Sequence, residues 1–120
     1  MGGGAVDNKM AGDIGERIAG EFLRLKGFEL LDANVRFARR EVDILARDGT
    51  YLVAVEVKLR RGRGFGAAAE AIDARKLARV QTALLGLSRE SRLSPRVDVV
   101  TIDLDETGDR MVVEHFVGVT

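Results

Sequence analysis

The chain has 120 residues, 19 lysine plus arginine against 19 aspartate plus glutamate, and no cysteine. That length suits one domain with a modest core. The composition excludes a disulfide framework or thiolate metal site, argues against coating nucleic acid by bulk charge, and holds no apolar run near the ~20 residues of a membrane span.

Residues 1–11 are Gly-rich and aperiodic and read as a flexible tail without a leader pattern. Residues 12–120 form the domain, and with no cysteine the expected compartment is the cytoplasm. Asp13 suits a helix N-cap, with Glu16 at capping-box spacing. Ile14, Ile18, Phe22 and Leu25 then mark one helical face, and Lys26-Gly27 marks its stop. Glu16 falls away from the centre of that face, which favours a capping or solvated role. Phe28 to Phe37 reads as a strand that gives way to a polar turn around Asp32-Ala-Asn34. Arg36, Arg39 and Arg40 form a basic cluster. Alone it is an ordinary solvated surface; beside a metal site it can hold phosphates and set register on a duplex.

Residues 41–63 carry the strongest pattern. Two runs of β-type residues flank Asp48-Gly49, a hairpin signal. Val42, Ile44 and Ala46 share one face of the first strand, and Val53, Val55 and Val57 one face of the second. Glu41, Asp43, Glu56 and Lys58 take the opposite parity. A Gly49-Thr50 loop sets Asp43 opposite Glu56 and Glu41 opposite Lys58. An Asp48-Gly49 loop makes Asp43 diagonal to Glu56, and a three-residue loop separates them. A wet strand face would alternate in the same way. It would normally pair opposite signs, however, whereas the favoured register opposes two carboxylates roughly 5 Å apart at Cβ. Such a pair repels unless a positive charge intervenes, and Mg²⁺ or Mn²⁺ is the economical choice.

Beyond the hairpin, Arg60, Arg61 and Arg63 lie among glycines with Phe65. Arginine offers bidentate phosphate contacts there, and Phe65 more simply packs the loop. Ala67 to about Arg89 reads as the longest helix, with Ala69, Ile72, Val80, Ala83, Leu84 and Leu87 as its stripe. Asp73 and Lys76 fall inside that stripe, where a charge needs a partner. They pair with each other, or Lys76 reaches a phosphate or carboxylate at the site. Pro95 bars continuation of the helix. Arg96–Leu104 and Met111–Val117 are strands, and the single histidine, His115, reads as structural. The order α, β, β-hairpin, α, β, β predicts a single α/β domain: a central mixed sheet with a helix on each side or both on one.

These pieces together resemble a known family. Glu41-x-Asp43 followed by Glu56-Val-Lys58 is similar to the core of the PD-(D/E)xK, restriction-endonuclease-like nuclease superfamily. Gly12-Asp-Ile-Gly-Glu16, Gly27-Phe28, Asn34-x-Arg36, Val55-Glu-Val-Lys58-x-Arg60, Lys76 and Arg96-x-Asp98-Val-Val resemble the bacterial YraN-like family of uncharacterised proteins, over about Gly12 to Thr101. Arg40 departs from that family's usual glycine. The resemblance implies a metal-dependent endonuclease acting on DNA, with branched or flapped DNA among the candidate substrates. Asp43 and Glu56 would hold Mg²⁺ or Mn²⁺ with the Val57 carbonyl, and Glu16 would complete the site from the first helix. Lys58 would act in catalysis, and Glu41 would assist. Arg36, Arg40, Arg60, Arg61, Arg63 and Lys76 would contact nucleic acid. Fold-level analogy with dimeric archaeal junction resolvases extends this to a homodimer. The alternative is a nucleic-acid-binding module that uses the same fold without cutting.

Overall fold

The apolar runs Leu52-Val-Ala-Val55 and Val97–Ile102 are nearly continuous, so neither strand can keep a wet face. The computed structural model describes the backbone of residues 4–37, 39–62 and 73–120, and side chains within those ranges from residue 13 onward. The elements are α1 (Gly4–Leu25), β1 (Glu29–Phe37), β2 (Arg40–Asp48), β3 (Tyr51–Arg61), α2 (Ala74–Ser88), β4 (Ser94–Leu104) and β5 (Met111–Phe116). They form one α/β domain. Its sheet runs β1-β2-β3-β4-β5, with β3 and β4 parallel and the other neighbours antiparallel. No helix among the described residues is long and apolar enough to cross a membrane.

The helices lie on opposite faces. Val53 and Val55 of β3 join Ala19 and Leu23 of α1 in one core, whereas Leu52 and Ala54 join Leu77, Val80 and Leu84 of α2 in the other. Full burial of each such Val or Leu contributes about 1.5–3 kcal/mol. α2 is also the crossover that parallel β3 and β4 require.

Several boundaries differ from expectation. α1 starts at Gly4, not Asp13, so Asp13 and Glu16 lie inside the helix and form no capping box. Val6, Met10, Ile14, Ile18 and Phe22 recur every four residues, which favours the longer helix. The buried line on α1 is Ala19 and Leu23, while Ile14 and Leu25 are exposed. Its end is as expected: Gly27 has φ +96°, Phe28 N–H bonds to Leu23 O at 3.0 Å, and Gly27 N–H bonds to Arg24 O at 2.9 Å, a Schellman stop. β1 does not turn at Asp32–Asn34. It continues through an irregularity between Leu30 and Asp32, with Asn34 at φ +53°. α2 is described from Ala74; the expected start at Ala67, with Ala69 and Ile72, lies outside the described residues, and α1 is the longer of the two described helices. Asp73 caps α2, accepting from Arg75 N–H at 2.9 Å and Lys76 N–H at 3.4 Å.

A fully paired ionic cluster ties α1, β2, β4 and β5 together. Asp98 on β4 is fully buried; it accepts from Arg96 Nε and NH2, both at 2.9 Å, and from Gly118 N–H at 3.0 Å. His115 Nε2 lies 2.8 Å from the same carboxylate, and Lys26 Nζ lies 2.6 Å from His115 Nδ1. An ammonium can only donate, so Nδ1 accepts and Nε2–H donates to Asp98. Arg96 also meets Asp48 at 2.9 Å and lies over the Tyr51 ring. Burial alone would raise the Asp98 pKa. The bonds from His115, Arg96 and Gly118 outweigh it and hold the pKa below the usual range. His115 is thus structural, as expected.

Candidate active site

The hairpin closes in the like-charge register. Asp48 pairs with Tyr51 across a Gly49-Thr50 loop, and the ladder runs back to Ile44 opposite Val55. Gly49 has φ +60°, which the first position of a type II′ turn requires and which costs glycine little. One further step brings Asp43 level with Glu56.

There the ladder gives way. Asp43 Oδ2 accepts the Val57 N–H at 2.9 Å, in place of a strand carbonyl. Side-chain alternation breaks at the same point. Val42 shares parity with Ile44 and Ala46, yet it packs in the α2-side core while they pack in the α1-side core. This corrects the expectation that all three share a face. β2 rolls at Asp43, which leaves its carboxylate at the splayed edge between β2 and β3.

Glu56 is 6% exposed. The Asp43 carboxyl is within hydrogen-bond reach of it, and Lys76 Nζ of α2 stands 2.6 Å from its Oε1. The ammonium is close but off line, so neither Glu56 oxygen has a well-aligned hydrogen bond. Burial first, and then the bond and charge of Asp43, push the Glu56 pKa up to about 8 against the pull of Lys76. Burial works against the Lys76 ammonium, but its bond to Glu56 and the surrounding carboxylates hold its pKa above the ordinary value. Lys76 therefore reaches a carboxylate at the site and does not pair with Asp73.

Glu16 approaches from α1. Burial and then the Asp43 charge raise its pKa, while a hydrogen bond from Asn34 opposes them. The left-handed backbone at Asn34 thus serves Glu16, a link no spacing in the sequence announces. Glu41 is exposed and stands 3.9 Å from Arg36 across the β1–β2 pair. Lys58 is exposed and forms no hydrogen bond or ion pair among the described residues. Those residues hold no group of three Asp, Glu or His side chains drawn close enough to cage a metal ion. The positive charge now nearest the pair is Lys76.

The cations expected to meet nucleic acid separate into classes. Arg36 and Arg61 are exposed, Arg61 beside Gly108 in the β4–β5 turn. Arg40 is half-buried and lines a small cavity with Lys76. Arg60 faces inward: its side chain is 8% exposed, and its Nε and NH2 meet Asp103 Oδ1 at 2.8 and 2.7 Å. A guanidinium held this way works inside the fold, which corrects its assignment to the phosphate-contacting set. Arg63 and Phe65 lie outside the described residues. Arg79, one helical turn from Lys76 on α2, was missed by the sequence reading although the i, i+3 spacing was there to find.

The model of the uncharacterised protein family UPF0102 matches residues 15–102, a span that contains Glu16, Glu41, Asp43 and Glu56. The chain belongs to UPF0102. A UPF0102 protein of Symbiobacterium thermophilum is 42% identical over 99 residues, covering 80% of this chain and 84% of its own. One from Syntrophotalea carbinolica is 42% identical over 110 residues, covering 89% and 88%. One from Dehalococcoides mccartyi is 34% identical over 110 residues, covering 89% and 91%. The expected YraN-like kinship is borne out by these UPF0102 relatives.

Proposed function

We propose that this UPF0102 chain is a metal-dependent endonuclease that hydrolyses DNA phosphodiester bonds on a restriction-endonuclease-like core. One observation carries the reading: Asp43 and Glu56 face each other at the opened end of a hairpin, with Glu56 buried and its pKa pushed up to about 8. The Lys76 ammonium offsets that opposition only in part, and a metal cation would relieve it further.

The donor set fits Mg²⁺ or Mn²⁺ in kind, because hard oxygen ligands suit both ions. Asp43 and Glu56 would hold the ion, with the Val57 carbonyl and Glu16 as further oxygen donors. Such an ion supplies charge stabilisation to the reacting phosphate and makes water a competent nucleophile near neutral pH. The Asp43–Val57 bond fixes one carboxylate oxygen and leaves the other to the site. With a cation on the carboxylates, Lys76 would be free to contact a phosphate oxygen instead of Glu56. Lys58, exposed two residues beyond Glu56, offsets charge building on the phosphate. Glu41 assists from the rim, and Arg36, Arg40 and Arg61 contact the backbone. A homodimer would present two such sites to a branched substrate.

The test is a cleavage assay on branched, flapped, single-stranded and linear DNA with Mg²⁺ or Mn²⁺. Wild type should cut at least one of these, and Asp43→Ala and Glu56→Ala should each lower the rate by about 10²–10³-fold or more. Cutting that survives both substitutions would defeat the proposal. The Lys76–Glu56 contact favours a second reading, a binding module whose carboxylate is neutralised by its own lysine. DNA retention without cleavage, unchanged in Asp43→Ala, would select it.

A further inference from the structure

Beside the carboxylate pair, between the β1–β2 turn and α2, lies a cavity of about 150 Å³ lined by Arg39, Arg40, Glu41, Lys76, Arg79 and Val80. Four of its six lining residues are cations. Glu41 is the one carboxylate in the lining, and Lys76 joins the cavity to Glu56. Glu56, Asp43 and Glu41 all face Lys76, so the cationic excess of the cavity rests on Arg39 and Arg79. Arg39 and Arg79 are exposed and form no hydrogen bond or ion pair among the described residues. Arg39 is held at φ +66°, a left-handed conformation uncommon for a non-glycine residue, at the tip of the turn. The exposed guanidinium groups of Arg39 and Arg79 at one cavity favour entry of an anion.

We propose that this cavity is a subsite for a terminal phosphate of a nucleic-acid strand, gripped by Arg39, Arg40, Lys76 and Arg79. The inference rests on the nuclease reading for the nature of the strand, but not on cleavage itself. A phosphomonoester matches the cavity better than a backbone phosphodiester does. Near pH 7 it approaches two negative charges and offers three terminal oxygens, where a diester offers one charge and two. Guanidinium forks bind such oxygens in pairs, and a small concave site accepts a strand end more readily than a continuous backbone. Because Lys76 touches both the cavity and Glu56, a strand end seated here would select phosphodiesters near that end for the adjacent carboxylates. The protein would then act on ends, flaps or nicks that carry a phosphate.

The test is a binding titration by fluorescence anisotropy in EDTA, with single strands roughly 12 nucleotides long. They carry a 5′-phosphate, a 3′-phosphate or hydroxyls at both ends. Wild type should bind one phosphorylated strand at least about tenfold tighter than the hydroxyl strand, and Arg39→Ala and Arg79→Ala should each remove most of that preference. Both side chains are exposed, so thermal melts of the variants should match wild type. Equal binding of all three strands, or a preference that survives the Arg39→Ala/Arg79→Ala double variant, would overturn the proposal. Asp43→Ala separates this inference from the nuclease reading. It should abolish cleavage and keep the end preference, and a protein that cuts without any end preference would sink this inference alone.

Discussion

Two charged clusters share this sheet and are built in opposite ways. Asp98 is fully buried and sits among Arg96, His115 and a backbone N–H, so its charge is satisfied and its pKa is held down. Glu56 is nearly as buried, yet it faces another carboxylate and a poorly aligned ammonium, and its pKa is pushed up to about 8. Burial is common to both, so burial alone does not decide what a buried acid does. The sign and alignment of its neighbours decide. A satisfied acid fastens the fold, and a frustrated one is held at a cost that the rest of the fold must offset.

Removing the satisfied acid should have the largest effect on stability. Asp98→Ala leaves Arg96 and His115 without their common partner and should cost roughly 3–5 kcal/mol in denaturant unfolding. A loss below about 1 kcal/mol would collapse the contrast between the clusters. The frustrated acid should behave the other way. Its folded pKa lies above its unfolded value, so the folded state binds the extra proton and stability falls as pH rises from about 4.5 through about 8. Glu56→Gln should therefore be more stable than wild type near pH 9, by up to about 5 kcal/mol for a shift of this size, and little different near pH 4. Parallel melting curves of the two proteins at every pH would contradict this sign.

Metal binding should sharpen the contrast further. A cation competes with the Glu56 proton, so stabilisation by Mn²⁺ should grow between pH 6 and pH 8.5 and vanish in Asp43→Ala. Differential scanning calorimetry would read it, and equal shifts at both pH values would point to binding elsewhere. The smallest effect is expected at a site in neither cluster. The Phe37 ring fills the space where a Cβ at Gly86 would stand, so Gly86→Ala must push aside a half-exposed ring. The helix-propensity gain of about 1 kcal/mol and the lost Phe37 packing should nearly cancel, leaving a change under about 1 kcal/mol. A larger loss on thermal unfolding would make Phe37 a structural clasp between β1 and α2.

Local chemistry was legible in the sequence. Gly27 marked the end of α1, Asp48-Gly49 marked the hairpin with Gly49-Thr50 among the loops it allowed, and like charges at Asp43 and Glu56 marked the candidate site. What failed was long-range or cumulative. Arg60 looked like a phosphate contact because its partner, Asp103, is 43 positions away and adjacent only once β3 and β4 pair. The structural role of His115 was legible but its partners were not, because Asp98 and Lys26 come from other elements. The roll that sends Val42 and Ile44 to opposite cores leaves no trace in a period-two pattern, since it is imposed where the strands part. The capping reading of Glu16 fails because a helix begun nine residues earlier turns a supposed cap into a mid-helix side chain.

The hairpin tip also acts as a counting device. Gly49 and Thr50 touch neither carboxylate, and Thr50 O only anchors the tip by accepting the Ser94 N–H at 2.9 Å. Yet side chains alternate with a period of two, so the parity of this loop decides whether Asp43 and Glu56 share a face at all. One inserted residue would leave composition, charge and both strands intact and turn Asp43 away from its partner. Two would restore the face. Insertions at this remote tip would thus behave as a switch with odd and even settings, silencing the site without touching a single group that belongs to it.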